Sequence, residues 1–476
     1  MATIAAQLRA QLAHIESLIA LLQAQRHTVH EQLAAVVYPI LTLPNEVTAE
    51  IFLRYYDNCD DLSCTPLVLT NVCSLWREVA ISTRRLWSIF ASRRPEYSTP
   101  THASALQLWI SRAGKLPLDG RIRLADSTYP THAEPLRLIS QHSSRWQSLA
   151  LYIIYGGEID VVDLPGHFPH LTKLLVFTGM TLPKSLDAPR LVDVALQGAE
   201  LPEHWETCLP WNQLINLCLT DRPVGFCVQI LEHTPNLQVL EMRCDDDDWE
   251  TTTPTRILHH LHTLVIIGYN SSVITHLTLP GLRELRLGSG SDIEDCGPAV
   301  KSLLDRSGCS LQLHTLAFSV CNPVAISDHL SGLDTIQKVQ LNSGGLDSNS
   351  FSLLMETLSK ENHLFPALTD LEILNCGPMQ VNLSNLVSVL RDWRNESRTT
   401  RLRAFKMSSP GKLDVVFERV HERVEESLKE LRDLRDGGLQ VDVGSERRWF
   451  EKGPADKDFA VAAALASLSF LSYNKD

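Results

Sequence analysis

The stretch Leu282-Arg283-Glu284-Leu285-Arg286-Leu287 carries the pattern on which the fold of this chain turns. Apolar residues occupy its first, fourth and sixth positions. The same spacing recurs at Trp146/Leu149/Leu151, Leu171/Leu174/Val176, Leu191/Val194/Leu196, Leu214/Leu217/Leu219 and Leu237/Leu240/Met242. It continues at Leu261/Leu264/Ile266, Leu313/Leu316/Phe318, Ile336/Val339/Leu341, Leu368/Leu371/Ile373 and Leu402/Phe405/Met407. Successive units lie about 20 to 35 residues apart, a period that signals a stacked array. Each unit ends apolar-x-apolar, the two-residue period of a strand covered on one side. A strand this short cannot hide its apolar side alone, but neighbouring units stacked side by side make one continuous core.

Helices are expected to return the chain between strands. Gly225 to His233, Pro298 to Arg306, Ser350 to Lys360 and Ser384 to Trp393 all have helical apolar spacing. The fold class is therefore α/β over residues 146–410, a curved parallel sheet with outer helices. Where a repeat motif wants Asn or Cys after the strand, Cys321 and Cys376 stand in two units, and Gly179, Ala199 and Tyr269 in others, so the repeats are irregular. These units resemble the degenerate leucine-rich repeats of many fungal proteins, and the resemblance implies a solenoid. Strand alternation turns Asp193, Asn216, Glu241, Arg243, Glu284, Arg286, Lys338, Gln340, Asn342, Asp370, Glu372 and Lys406 to the side away from the helices. Mixed charge with amides suits recognition of a protein, and these are the candidate substrate-contacting residues.

Ahead of the repeats, residues 39–90 read as a set of short helices. Leu43-Pro44-Asn45-Glu46-Val47 opens the first, and Ile51-Phe52 continues it. Pro44 suits the first turn of a helix, where its missing N–H is no loss. Val72, Leu75, Trp76 and Val79 share a face on a later helix, and Leu86-Trp87 closes the segment. About fifty residues cannot bury all of this apolar surface by themselves, so part of it must meet a partner or another domain. The ordered series Leu-Pro-x-Glu-Val, Ile-Phe, Val-Cys-x-x-Trp-Arg, Leu-Trp resembles the F-box, the helical module that docks on the Skp adaptor of cullin–RING ubiquitin ligases. The resemblance implies adaptor contacts at Leu43, Pro44, Glu46, Val47, Ile51, Phe52, Val72, Trp76 and Leu86. It also implies that the repeats behind the module hold a protein substrate, as in the leucine-rich domains that follow many F-boxes. The chain departs from a minimal F-box in a longer loop carrying Asp57, Cys59, Asp60, Asp61 and Cys64.

Residues 1–38 read as one long helix. Leu8, Ile15, Leu22, Val29 and Val36 recur every seven residues, with Leu12, Ile19 and Leu33 beside them and Arg26 at one such place. A homodimer through residues 1–37 and a helix folded back on its own chain both satisfy that repeat. Residues 91–145 form a connector, with a helix around Leu106, Trp109 and Ile110 and a strand around Leu118 and Ile122. Residues 411–476 supply a terminal cap, with Val416, Phe417, Val420, Val424, Leu428 and Leu431 lining one face of a helix, a strand at Leu439 to Val443, and an Ala-rich tail.

Net charge is −13 and the pI about 5.8, which argues against a general nucleic-acid binder. No run of 18 apolar residues exists, so no membrane span is expected, and the N-terminus does not read as a secretory signal. The eleven cysteines include no Cys-x-x-Cys, which fits reduced thiols in the cytoplasm or nucleus. Asp245 to Asp248 lacks the Gly and Glu of a calcium loop, His259, His260 and His262 lack a further ligand for zinc, and Gly288-Ser289-Gly290-Ser291 lacks the Lys-Ser/Thr of a phosphate loop. No metal site, cofactor or catalytic residue is expected, and the function is expected to be binding. The alternative is a scaffold that self-associates through its first helix without any part in ubiquitin ligation.

Overall fold

A computed structural model describes residues 2–35, 39–57, 65–91, 101–124, 133–153, 167–177, 181–245, 255–268, 272–288, 293–320, 322–343, 346, 348–360, 364–375, 383–394, 402–409 and 423–445. Packing divides the chain into two units, residues 1–94 with 104–118, and residues 95–103 with 119–476.

The first unit is helical. Helix α1 (Ala2–Ala35) is followed by α2 (Asn45–Asp57), α3 (Pro66–Thr70), α4 (Ser74–Ser82), a short strand β1 (Ile89–Ala91) and α5 (Thr101–Ala113). The α2 helix begins one residue after Pro44, whose carbonyl accepts from Thr48 N at 3.0 Å, so the proline stands just ahead of the helix rather than in its first turn. The start of α4 is capped by Cys73, whose Sγ accepts from Trp76 N at 3.5 Å. Trp87 is fully buried at the centre. Its Nε1 donates to Ala80 O at 2.7 Å, Trp109 stands edge-on at 4.8 Å, and the Arg112 guanidinium lies 4.2 Å from its ring centre. A buried indole needs that carbonyl, because a shielded N–H without a partner costs free energy.

The second unit is a mixed α/β structure built on one large sheet. Its strands are β2 (Leu118–Leu124), β3 (Trp146–Ile153), β4 (Lys173–Val176), β5 (Asp193–Gln197), β6 (Asn216–Pro223), β7 (Val239–Asp245), β9 (Thr263–Ile266), β11 (Glu284–Leu287), β12 (Thr315–Ser319), β13 (Lys338–Asn342), β14 (Asp370–Leu374), β15 (Ala404–Ser409) and β16 (Gln440–Ser445). They follow one another across the sheet in that order. From β3 onward every pair is parallel. Two further short strands, β8 (Arg256–Ile257) and β10 (Leu277–Thr278), pair with each other outside the main sheet. The repeat spacing does not anticipate that pair. It is held by Arg306, whose Nε and Nη2 donate to Leu277 O at 3.0 and 2.7 Å.

Parallel strands need a crossover, and α-helices supply it between β6 and β7 and at every step from β11 onward, whereas the other described crossovers are short turns and 3-10 segments. The helices of this unit are α6 (Ala133–Gln141), α7 (Val224–Glu232), α8 (Ile293–Ser307), α9 (Val324–Leu330), α10 (Ser348–Lys360), α11 (Leu383–Arg394) and α12 (Arg423–Asp436). From α8 to α12 each helix packs beside the next. Their apolar sides are buried, as at Val300, Leu303, Phe351, Leu354, Leu386 and Leu390. The first part of the expected C-terminal helix and the tail from residue 446 lie outside the described residues, as do the loop at 58–64, Val36, and Gly179, Tyr269, Cys321 and Cys376.

All thirty-three residues of the eleven triplets are at most 5% exposed. Their middle members form one unbroken row across the sheet: Leu149, Leu174, Val194, Leu217, Leu240, Leu264, Leu285, Leu316, Val339, Leu371 and Phe405. A second ladder locks the turns that enter the strands. The residue two places ahead of each middle residue donates its N–H to the carbonyl of its counterpart one unit earlier, from Thr172 onto Gln147 (2.8 Å) to Arg403 onto Thr369 (2.8 Å). The turns run close enough that a Cβ on Gly281 would lie 2.9 Å from His259 O, so no side chain fits there. No described helix is long and apolar enough to cross a membrane.

Leu285 sits in the middle of the row with no exposed surface. Leu285→Ala is expected to cost about 3 kcal/mol in chemical denaturation, from lost burial plus the cavity left behind. Ile257→Ala, at a side chain that is 57% exposed, should stay within about 0.5 kcal/mol of the parent.

Candidate functional site

Two surfaces carry the residues singled out in the sequence, one in each unit. In the helical unit the turns of α2 sort its side chains. Thr48 and Phe52, four apart, point inward and are buried. Val47, Ile51 and Tyr55, also four apart, form a stripe on another side and are 45%, 42% and 44% exposed. Leu67 and Val68 of α3 and Val72 in the turn beyond it are exposed as well. Single exposed apolar residues need no explanation, but an aligned stripe is the mark of a surface meant to be covered.

Of the expected adaptor contacts, Pro44, Glu46, Val47, Ile51 and Val72 are exposed and Leu43 is half-buried. Phe52 and Leu86 are placed differently. They belong to the unit's own core, at 1% and 0% exposed, and hold the exposed side chains in place from behind. Trp76 stands between these groups. It is half-buried, its ring lies edge-on to Phe52 at 4.9 Å, and its Nε1 is shielded without a hydrogen-bond partner. Tyr55, Leu67 and Val68 were missed in the sequence. Tyr55 continues the four-residue step from Val47 and Ile51, so the signal was there.

In the second unit strand register brings the polar candidates into rows. One row runs Asp193, Asn216, Val239, Thr263, Glu284, Thr315, Lys338, Asp370. The next, two residues further along each strand, runs Ala195, Cys218, Glu241, Val265, Arg286, Ala317, Gln340, Glu372, Lys406. Arg243 and Asn342 lie one further step along β7 and β13. The face is not uniform. At the β3–β6 end it is apolar: Ala150, Leu175, Phe177, Ala195 and Cys218 form a second buried cluster, and the Tyr152 ring stacks on Phe177 at 4.3 Å. At the β13–β15 end it is ionic. Glu372 accepts from Gln340 Nε2 at 2.6 Å and from Lys406 Nζ at 2.8 Å, with Lys338 Nζ 3.7 Å away. Between them Glu284 holds the Arg286 guanidinium through its Nε (2.7 Å) and Nη2 (2.6 Å).

These settings push identical groups in opposite directions. Burial raises the Glu241 carboxyl to about 7, against the pull of the Arg243 and Arg286 charges. Burial likewise raises Asp193 to about 6, against Lys173, whose Nζ is 4.0 Å away, and a hydrogen bond from Asn216. Burial also acts upward on Glu372, but hydrogen bonds from Lys406 and Gln340 and the charges of Lys406 and Lys338 outweigh it, and the group is lowered. Asp193 Oδ1, Gln197 Oε1 and Gln340 Oε1 are shielded from solvent without a hydrogen-bond partner, so the face holds acceptor atoms with nothing donating to them.

His259 and His260 are exposed and His262 is half-buried with its Nδ1 3.0 Å from Thr263 Oγ1. Among the described residues no group of three or more His, Cys, Asp and Glu side chains is placed to hold a metal ion. Asp246 to Asp248 and Ser289 to Ser291 lie outside the described residues. No protein-family model matches the chain, and no curated protein matches it in sequence.

The two raised and lowered glutamates predict opposite pH signatures. Glu241 stays protonated in the folded state up to about 7 while the unfolded chain loses that proton near 4.3, so stability falls as pH rises between those values. Glu241→Gln should therefore raise stability by about 3 to 4 kcal/mol at pH 8 and leave it unchanged at pH 4 in urea titrations. Glu372 contributes stability above its unfolded value, and that contribution is lost as pH falls through its lowered folded value. Glu372→Gln should destabilise at pH 7 and converge on the parent in acid.

Proposed function

We propose that this chain is a substrate-recognition subunit of a Skp–cullin–F-box type ubiquitin ligase, with the helical unit as an F-box-like module that binds the adaptor and the strand array as a leucine-rich-repeat solenoid that binds a protein substrate. The observation that carries the reading is the division of labour on α2. Its Phe52 side is spent on the unit's own core around Trp76, while the Val47–Ile51–Tyr55 stripe lies exposed. The resemblance rests on the ordered residues from Leu43 to Trp87, since no family match supports it.

The strand array supports the second half of the reading. Sequential parallel strands set one row of side chains per unit on the same face, and here that row mixes carboxylates, cations and amides, buried or half-buried, with an apolar end. Such a surface, with half-buried Glu284, Arg286, Lys338, Asp370 and Lys406 along it, suits a folded or extended protein ligand. The chain would contribute proximity alone, raising the effective concentration of substrate beside the ligase, and the ubiquitin chemistry would belong to other subunits.

Capture of a purified Skp-type adaptor by the full chain tests this. Val47→Asp/Ile51→Asp should abolish capture with little change in thermal stability, because both side chains are already in water. Leu43→Ala/Pro44→Ala should weaken it by about tenfold or more, in line with loss of a central interface contact. Adaptor capture that survives the double aspartate variant would refute the reading.

A further inference from the structure

Along α1, Leu8, Leu12, Ile15, Ile19, Leu22 and Val29 form a seam with a seven-residue repeat, and each is between 49% and 61% exposed. A seam of this kind is stable only when the matching seam of another helix covers it. Its one charged member is Arg26, which takes the position equivalent to Leu12 and Ile19. Glu16 flanks the seam beside Ile15. Both are exposed, and neither makes an ion pair among the described residues. From this arrangement we infer that α1 pairs with α1 of a second copy of this chain, and that the two helices run antiparallel.

Direction follows from where the charge falls. In a parallel pair Arg26 would face the partner's Arg26 across the seam, and Glu16 would meet only the partner's Gln11. In the antiparallel pair that matches the most seam positions, Leu12 lies opposite the partner's Val29, Ile19 opposite the partner's Leu22, and Arg26 opposite the partner's Ile15. Position-by-position geometry then sets Arg26 beside the partner's Glu16, and two-fold symmetry repeats the contact. Sliding the helices by one heptad toward their N-termini would instead set Arg26 beside the partner's Arg9. Sliding them the other way would set it beside the partner's Gln23 and shorten the overlap. One register therefore satisfies both the apolar seam and the charges. The occupant is a second copy because a charge on this helix finds its complement on the same helix reversed. This inference does not depend on adaptor binding.

Sedimentation equilibrium of the full chain over a dilution series tests it. The parent should be a dimer that becomes a monomer when residues 1–37 are removed. Glu16→Arg alone and Arg26→Glu alone should each weaken the dimer by about tenfold, and the two together should restore it to within about threefold. Circular dichroism of each variant verifies that α1 is still helical. A monomeric parent, a dimer that survives removal of α1, or single reversals without effect would overturn the inference, as would a double reversal that restores nothing.

Discussion

A strand of four or five residues has too little apolar surface to hold itself in place, and the second unit is organised around that shortage. Each middle residue from Leu149 to Phe405 is covered by the equivalent residue on either side, and the N–H ahead of each strand is paired with the previous turn. Register is thereby set locally, at every step, by the same two interactions. This explains how the units tolerate unequal length. The chain between β9 and β11 detours through β10, which pairs with β8 outside the sheet, yet Leu264 still meets Leu285. Insertions leave at the turns and return to the same row.

Once the covered side is committed to the core, the other side is free to differ from unit to unit. The row containing Ala195 and Arg286 shows how far that freedom extends. Four successive strands contribute Ala150, Leu175, Ala195 and Cys218, and the row ends in Gln340, Glu372 and Lys406. The carboxylates show that neighbours on adjacent strands, and not residue type, decide the charge state. Glu372 receives donors from strands on both sides and stays ionised, whereas Glu241, flanked by Cys218 and Val265 in its row, is raised to about 7. A ligand that brings a cation or an N–H donor to Glu241 or Asp193 would therefore release a proton from the protein near neutral pH.

Periodic burial is what made parts of this structure readable from the sequence. The triplets were legible because burial of three residues at fixed spacing is a strong periodic signal, and each of them is in the core. The helices α7, α8, α10 and α11 were legible to within a few residues for the same reason. Helix α9 was not, because Val324 to Leu330 is a seven-residue segment with too few periods to stand out. The β8–β10 pair was hidden because two-residue strands carry no pattern, and the Arg306 contacts that hold them join residues about thirty apart. Rows across the sheet were legible only in part. Strand alternation points side chains to one face, but the neighbour that sets a pKa comes from another strand and depends on register.

The helical unit shows where resemblance by pattern and reading by physics part company. An ordered motif collects residues that matter to a module, whatever they do. Ile51 and Phe52 are adjacent in the chain and equal members of the motif, yet the helix turns one to water and buries the other against Trp76. Leu86 and Trp87 are likewise both interior, where they contribute to the unit's stability. Pro44 and the members on the outward side of α2, with Val72 beyond α3, are the ones that meet water, and Leu43 and Trp76 do so in part. Tyr55, absent from the motif, joins them by helical geometry alone. The surface that a partner would meet is thus smaller than the motif on one side and larger on the other, and it is the four-residue step along α2 that draws its outline.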